Sequence, residues 1–594
     1  MVMVSQLMQV VGKSNRLKIL ILIIIGFLTY LNSFHNLFVW DDSHFIIQNI
    51  FVHSLSYIPQ IFTSNTIAGA GATSDYYRPL TSLSFAIDYH FWGNNVLGYH
   101  LTNTFLHIAS GIILFLFLLR IKFNKTLSFW VSAIFLVHPV QTEAVTYLSS
   151  RGDSFYSLLF LISLYLFSST IYLRKTTIPK IALLFLSILS FGLSIIAKET
   201  ALALTPIYIG VLFLYKLQNN LSLTSLHQKY RNQIITIMFI FLLTIIYVII
   251  RINYLSFHNF FNFTGFDDIY TRSLLVRFYT FCKVFFTYLQ LLIYPYPLYL
   301  ERSTTFVLSP ISPFVVSAIL VFLIVFFLGI LEIKQKKQAW ILFGLVWFVS
   351  HILPASGIIP ITGTHHENWL YMPLVGFLIT TFSIAKFIFP KVVLPKYKKI
   401  LTFFALGVVI IFMYMTMLQN TKWKDNITYY EHNLKFVDSA RVNLNLGNAY
   451  LGANMDDKAL IHLKKAIQIK DIYPQTHYNL GKLYQKQGQD DLAEKEYFSS
   501  LRLDPDFIFA YTALINLYLK DQKFDRALPL VQTILKIYPF DVSINLLLAS
   551  VENRLGNTDL ANQQIAKIST SDPKINNLIT QIKLKQDDLT SYVK

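Results

Sequence analysis

Eleven apolar runs, each close to the roughly twenty residues that cross a bilayer as a helix, alternate with short polar loops in this chain. They lie at about 18–33, 101–120, 126–148, 154–173, 180–197, 201–216, 232–250, 312–333, 338–355, 369–389 and 400–418. In hydrocarbon every backbone N–H and C=O must be paired within the chain, which leaves helices or closed barrels as the spanning structures. Runs of this length predict helices. The chain is 54% hydrophobic and only 14% charged, against about 25% charge in an average soluble protein. Most of it belongs in lipid, in an all-α polytopic bundle.

Charge sets the expected orientation. Residues 421–594 hold 22 Lys+Arg against 20 Asp+Glu, and residues 1–420 hold 28 against 12. The excess thus sits in short loops between apolar runs, the mark of membrane topology rather than of a nucleic-acid-binding face. The groups Arg120/Lys122/Lys125, Arg174/Lys175/Lys180, Lys216/Lys229/Arg231, Lys334/Lys336/Lys337 and Lys391/Lys396/Lys398/Lys399 share one side only if the twelfth apolar stretch, 276–298, does not span. That stretch carries Arg277, Lys283, Pro295 and Pro297 and reads as an aromatic interfacial segment. Eleven spans put the N-terminus in the cytoplasm. Lys13, Arg16 and Lys18 before the first run, with no small-residue cleavage site after it, read as an uncleaved signal anchor. The single cysteine, Cys282, excludes an internal disulfide framework and a Cys-based zinc site.

Residues 1–420 therefore form a membrane domain with a first outer loop at 34–100, and 421–594 a soluble, extracytoplasmic one. In the latter a period of 34 appears: Tyr450, Tyr484 and Tyr518; Ala459, Ala493, Ala527 and Ala561; Pro505, Pro539 and Pro573. Small residues at helix contacts and Pro at the turn, on this period, are the signature of tetratricopeptide (TPR) repeats. Three are clear and a fourth is weaker. Such an α-solenoid forms a groove for a peptide or partner helix, or only rigidifies or dimerises the chain.

The polar residues on the outer side suit one chemistry. Moving a sugar from a lipid phosphate to a hydroxyl needs a carboxylate to take the acceptor's proton, donors for the departing phosphate, and an apolar groove for the lipid. Asp41 and Asp42, adjacent at the end of the first run, are the candidate base, although an Asp there also caps a helix. Arg78 can hold phosphate bidentately or pair with Asp75 or Asp88. His138 and Glu143, five apart, can ligate a divalent metal weakly, or they and Arg151 and Asp153 can satisfy one another in a helical hairpin. Lys198 can bind phosphate or be neutralised by Glu199 beside it. His365, His366 and Glu367 suit phosphate or metal contact at an outer membrane end.

Together these stretches resemble the transmembrane and tetratricopeptide-repeat (TMTC) O-mannosyltransferases, of the GT-C glycosyltransferase fold. The resemblance rests on Val39-Trp40-Asp41-Asp42, Tyr77-Arg78-Pro79-Leu80-Thr81, Gly98-Tyr99-His100-Leu101-Thr102-Asn103, His138-Pro139-Val140 with Thr142-Glu143-Ala144-Val145, Arg151-Gly152-Asp153, Ala197-Lys198-Glu199, 288–297, and Glu367 followed by Trp369-Leu370-Tyr371-Met372-Pro373. It implies a polyprenyl- or dolichyl-phosphate sugar donor, mannose in the best-known members, and a Ser/Thr hydroxyl acceptor on a protein. It also implies a catalytic carboxylate in the first outer loop and repeats on the same side. Family members often follow the glutamate with Arg where this chain has Asn368, so Arg78, His365 or His366 must take that role or the donor differs. The compact chain fits a prokaryotic cytoplasmic membrane.

Two other classes compete. A non-enzymatic TPR scaffold for assembling envelope proteins or polysaccharide would make the carboxylates dispensable. A transporter would need charges deep within spans, whereas these cluster at span ends.

Overall fold

The computed structural model describes residues 14–253, 269–300, 302, 304–358, 365–390, 395–568 and 573–588, and no strand occurs among them. Lys13, Lys391 and the side chains of Lys396 and Lys398, used above for orientation, lie outside the described residues. The chain divides into two compact units, Met1–Tyr429 and Tyr430–Lys594.

The principal helices of the first unit are α1 (Asn15–Tyr30), α2 (Pro79–Trp92), α3 (Val96–Arg120), α4 (Lys125–Val137), α5 (Arg151–Tyr172), α6 (Lys180–Ala197), α7 (Thr205–Gln218), α8 (Arg231–Asn253), α9 (Leu274–Ile293), α10 (Pro313–Lys336), α11 (Trp340–Ile352), α12 (Pro373–Ile388) and α13 (Pro395–Asn420). Local chemistry sets many of these bounds. Ser14, Asn95 and Asn124 cap α1, α3 and α4 by accepting from backbone N–H groups of the first turn. Proline occupies the first turn of α2, α7, α10 and α12, where its missing N–H costs nothing. Nine helical stretches among the described residues are long and apolar enough to cross a membrane.

Three expected spans are shorter as helices than their apolar runs. The run at 126–148 is helical only as far as Val137, because Pro139 drives His138 into extended backbone (ψ 129). The runs at 338–355 and 369–389 give helices of 13 and 16 residues, bounded by Pro354 and Pro373. The 276–298 stretch holds a helix, α9, which by length and composition could span. Its two ends are tied to loops between the neighbouring helices. Arg277 donates to the carbonyls of Gly357 and Ile358 beyond α11. Tyr288 meets His365 before α12, and the Leu292 carbonyl bonds His138 at the end of α4. Along its length Phe285 also packs on Phe322 of α10 and Phe348 of α11.

The bundle has two unlike ends. At one, Lys18 reaches the Lys125 carbonyl, Gln218 the Ile121 carbonyl, and Phe123 packs on Trp340. The basic loops following α3, α5, α7 and α10 gather there. At the other, Asn420 ties α13 to the Thr29 carbonyl, to Asn32 and to Thr146. Between the ends, glycines permit close helix approach: a Cβ on Gly344 would come within 2.8 Å of the Gly376 carbonyl, and one on Gly376 within 2.5 Å of the Phe348 nitrogen.

The second unit contains four helix pairs, α14 (Ala440–Gly452) with α15 (Asp456–Ile469), α16 (Pro474–Lys486) with α17 (Asp490–Leu503), α18 (Ile508–Lys520) with α19 (Phe524–Ile537) and α20 (Val542–Arg554) with α21 (Thr558–Ala566), and then α22 (Pro573–Lys583). The period seen in the sequence is a packing period. Ala459, Ala493, Ala527 and Ala561 are all buried. Gly447 and Gly481 leave room for Leu463 and Tyr497, whose side chains come within 2.7 and 2.4 Å of where a Cβ would stand.

Candidate functional site

Every candidate residue of the first unit lies at the end of the bundle opposite the basic loops, on the segments flanking α1 through α12. The two adjacent carboxylates have separate fates there. Asp42 is 1% exposed. One of its oxygens accepts from the Val39 N–H (3.0 Å), and the other from the Ser149 N–H (2.8 Å) and hydroxyl (2.5 Å). It pins the loop after α1 to the entry of α5. Burial pushes its carboxyl up to about 7, against the pull of those three donors. Asp41 is half-buried, and its charge acts on Asp42, Tyr76 and Tyr147. Just before it Trp40 is left-handed (φ +57), a conformation a bulky residue holds only under constraint. The constraint is visible: the Trp40 N–H donates to Asn426 (2.8 Å), and its ring stacks on Tyr147 at 5.2 Å. Tyr147 stacks in turn on Trp423.

The cations are distributed in a way the sequence does not suggest. Arg78 binds Glu199 through two bonds, at 3.0 and 2.5 Å, rather than Asp75 or Asp88. Lys198 donates to Asp153 (2.6 Å), so the adjacent Lys198 and Glu199 do not neutralise each other. In the extended backbone at Lys198 (φ −159) successive side chains diverge, which sends the two to different partners. Asn368 donates to the second oxygen of Asp153 (3.1 Å). Arg151 is wholly buried and has several partners: Asp88 at 2.5 Å, Asn103 at 2.6 Å, Ser84 and the Tyr99 carbonyl at 3.2 Å, with Phe85 beneath its guanidinium. It knots α2, α3 and α5 together, and with 0% of its surface exposed it does not face a ligand.

The expected His138–Glu143 metal pair does not form. His138 Nδ1 accepts from the Val140 N–H, which leaves Nε2 to donate to the Leu292 carbonyl, so both ring nitrogens are spent. Glu143 accepts from the Glu367 and Asn368 N–H groups (2.9 and 3.0 Å) and lies 3.9 Å from His366. Nor do these groups and Arg151 and Asp153 form a self-satisfied hairpin, since their partners come from other elements. Among the described residues no three His, Cys, Asp or Glu side chains converge to hold a metal.

Glu367 brings in a residue that the sequence reading missed. It accepts from Arg302 (2.9 Å) and from the Tyr299 N–H (2.7 Å), and Arg302 also bonds the Pro297 carbonyl and lies over the Tyr299 ring. The signal available was an arginine just past an aromatic, proline-rich segment at the outer end. Burial raises the carboxyls of both Glu143 and Glu367, and their mutual repulsion adds to the rise at Glu143, to about 8. Arg302 offsets part of the rise at Glu367. Burial, with Arg302 and His366 nearby, lowers His365 to about 3 and keeps its imidazole neutral.

The chain is similar to several known proteins. Family models described as TPR repeat and tetratricopeptide repeat match residues 447–488 and 474–507. A protein O-mannosyl-transferase of Caenorhabditis elegans is 25% identical over 84% of this chain and 64% of its own length. The protein O-mannosyl-transferase TMTC3 of Mus musculus is 24% identical over 81% of this chain and 54% of its own length. The chain thus spans between about half and two thirds of the length of these relatives. Among solved structures, the apo oligosaccharyltransferase of Archaeoglobus fulgidus aligns over 73% of this chain and 60% of its own, with 10% identity and a TM-score of 0.38.

Proposed function

We propose that this chain, a TMTC-like protein by its similarity over most of its length, is an integral-membrane glycosyltransferase. It moves a sugar, mannose among the candidates, from a polyprenyl-phosphate donor to a Ser or Thr hydroxyl of an extracytoplasmic protein. The observation that carries the reading is the place of Asp41. It is half-buried, next to the constrained Trp40, at the end of the bundle where Arg78, Lys198 and Arg302 gather, whereas Asp42 is 1% exposed and ties the loop after α1 to Ser149.

Asp41 is the base in this reading. It takes the proton of the acceptor hydroxyl as that oxygen attacks the anomeric carbon. The bond from that carbon to the phosphate oxygen breaks, its electron pair leaves with the polyprenyl phosphate, and the centre inverts. No second nucleophile is needed, because the acceptor itself attacks. Arg78, Lys198, Arg302 and His366 supply positive charge and donors for the phosphate as it departs. Each ion pair keeps its cation placed while the donor is absent, and Glu199, the more exposed partner of Arg78 (36% against 12%), is the carboxylate a phosphate can displace.

In this reading the end of the bundle with the basic loops faces the cytoplasm of a prokaryotic cell, and the candidate site faces outward. The chain leaves the first unit at that face, and the repeats then offer the acceptor protein a groove. The test is reconstitution: full-length protein in lipid, a panel of labelled polyprenyl-phosphate sugars, and Ser/Thr-containing peptides. Label transferred to a hydroxyl is the expected result. If no sugar moves from any donor while the repeats alone restore the cellular role, the chain is a scaffold.

A further inference from the structure

Helix α8 is the least buried of the long helices apart from α10, α13 and their lipid-facing runs, and Ile245, Ile246, Ile249, Ile250 and Ile252 are exposed on it. Two polar residues interrupt this surface, Tyr247 and Arg251, one helical turn apart and so on one face. Arg251 is 8% exposed. The Tyr247 hydroxyl is buried, with no hydrogen-bond partner among the described residues, an expense a membrane protein seldom carries without a use. Around this phenol act the charges of Glu199, Arg251 and Arg78, and Arg251 also acts on Tyr77, whose hydroxyl bonds the Phe62 carbonyl. Helix α8 packs on α6 and α7, and Lys198 and Glu199 lie between those two. The end of α8 is therefore one wall of the candidate site.

We propose that Tyr247 and Arg251 bind the phosphate of the lipid donor, whose isoprenoid tail runs along the exposed isoleucine face of α8; this rests on the glycosyltransferase reading above. A phosphate has more acceptor oxygens than Arg78 alone can engage, and a second guanidinium with a hydroxyl completes the set. The Glu199 carboxylate, held by two bonds to Arg78, marks where an oxyanion fits. When the donor enters, its phosphate takes the place of Glu199 on Arg78 and gives the Tyr247 hydroxyl an acceptor. The tail needs no closed tunnel, because the phosphate group lies at the helix end and the apolar face continues from it.

The experiment is binding of a fluorescent polyprenyl phosphate to the full-length protein in phosphatidylcholine nanodiscs, with the matching polyprenol as the control that lacks only the phosphate. Tyr247→Phe is expected to weaken polyprenyl-phosphate binding about fivefold and Arg251→Gln tenfold or more. Neither should alter polyprenol binding or the melting temperature appreciably. Unchanged binding by both variants would overturn the assignment, and so would a parallel loss of polyprenol binding, which is the outcome of a packing role. Displacement of the probe by inorganic phosphate or phosphatidylglycerol as readily as by unlabelled polyprenyl phosphate would also overturn it, making the site a general phosphate site. Failure of the wild-type protein to bind the probe removes the donor reading itself, whereas wild-type binding that both variants retain removes only the role of Tyr247 and Arg251.

Discussion

Arg151 and Arg78 sit in the same end of the same bundle, each paired with a carboxylate at 2.5 Å, yet they are built for different ends. Arg151 has no exposed side-chain surface and its partner Asp88 almost none (7%). Asn103, Ser84 and the Tyr99 carbonyl take three more of its donors. Among the described residues Arg78 pairs with Glu199, which is itself a third exposed, and lies 4.3 Å from a tyrosine ring. What separates the two arginines is the number of further partners among the described residues and the exposure of the carboxylate, not the ion pair, and under the proposed function that difference makes Arg78 the one a phosphate can reach. The acidic pair differs in burial at closer range: Asp42 is 1% exposed and held by donors from two segments, and Asp41 is half-buried.

The contrast breaks if both arginines behave alike. Replacing Arg151 with Gln strands Asp88 in the core, and the expected loss is about 3–5 kcal/mol of stability, read as a large fall in melting temperature in detergent. Arg78→Gln should cost about 1 kcal/mol or less while lowering sugar transfer. Equal destabilisation by the two substitutions would remove the distinction.

Asp42 sharpens it through pH. Its folded carboxyl is raised to about 7 from an ordinary 3.8, so between those values the folded protein holds a proton that the unfolded chain has lost. The contribution to stability is whole below about pH 4 and disappears as pH rises through 7, with a slope on the order of 1 kcal/mol per pH unit. Thermal melts from pH 4 to 8 should show this fall in the wild type and lack it in Asp42→Asn, after subtraction of the slope the two share. A smaller effect belongs to the repeats. Gly481→Ala sets a methyl against the Tyr497 ring and should lower the stability of the second unit by about 1–3 kcal/mol. The check is unfolding followed by circular dichroism, with little change expected in the membrane unit.

The helices and repeats were legible because their signals are periodic and additive: apolar runs for the bundle, and a 34-residue recurrence of Ala, Tyr and Pro for the solenoid. The gathering of the candidates at one end was legible too, since loop position along the chain fixes which end a residue reaches. Pairings were not. Lys198 and Glu199 are neighbours in sequence, but extended backbone sends one to Asp153 and the other to Arg78. His138 and Glu143 have metal-like spacing, but Pro139 breaks the helix that would have aligned them. Arg302 went unnoticed because its partner Glu367 lies 65 residues away, and only the fold joins them.

The central claim is that Asp41, and not Asp42, takes the acceptor's proton. The direct measurement is sugar transfer by Asp41→Asn and Asp42→Asn full-length proteins in lipid, each normalised to its folded fraction. Loss of 100-fold or more in Asp41→Asn, with a normal melting temperature, and substantial turnover by the folded part of Asp42→Asn is the predicted result. Turnover retained by Asp41→Asn, or lost only in folded Asp42→Asn, would contradict it.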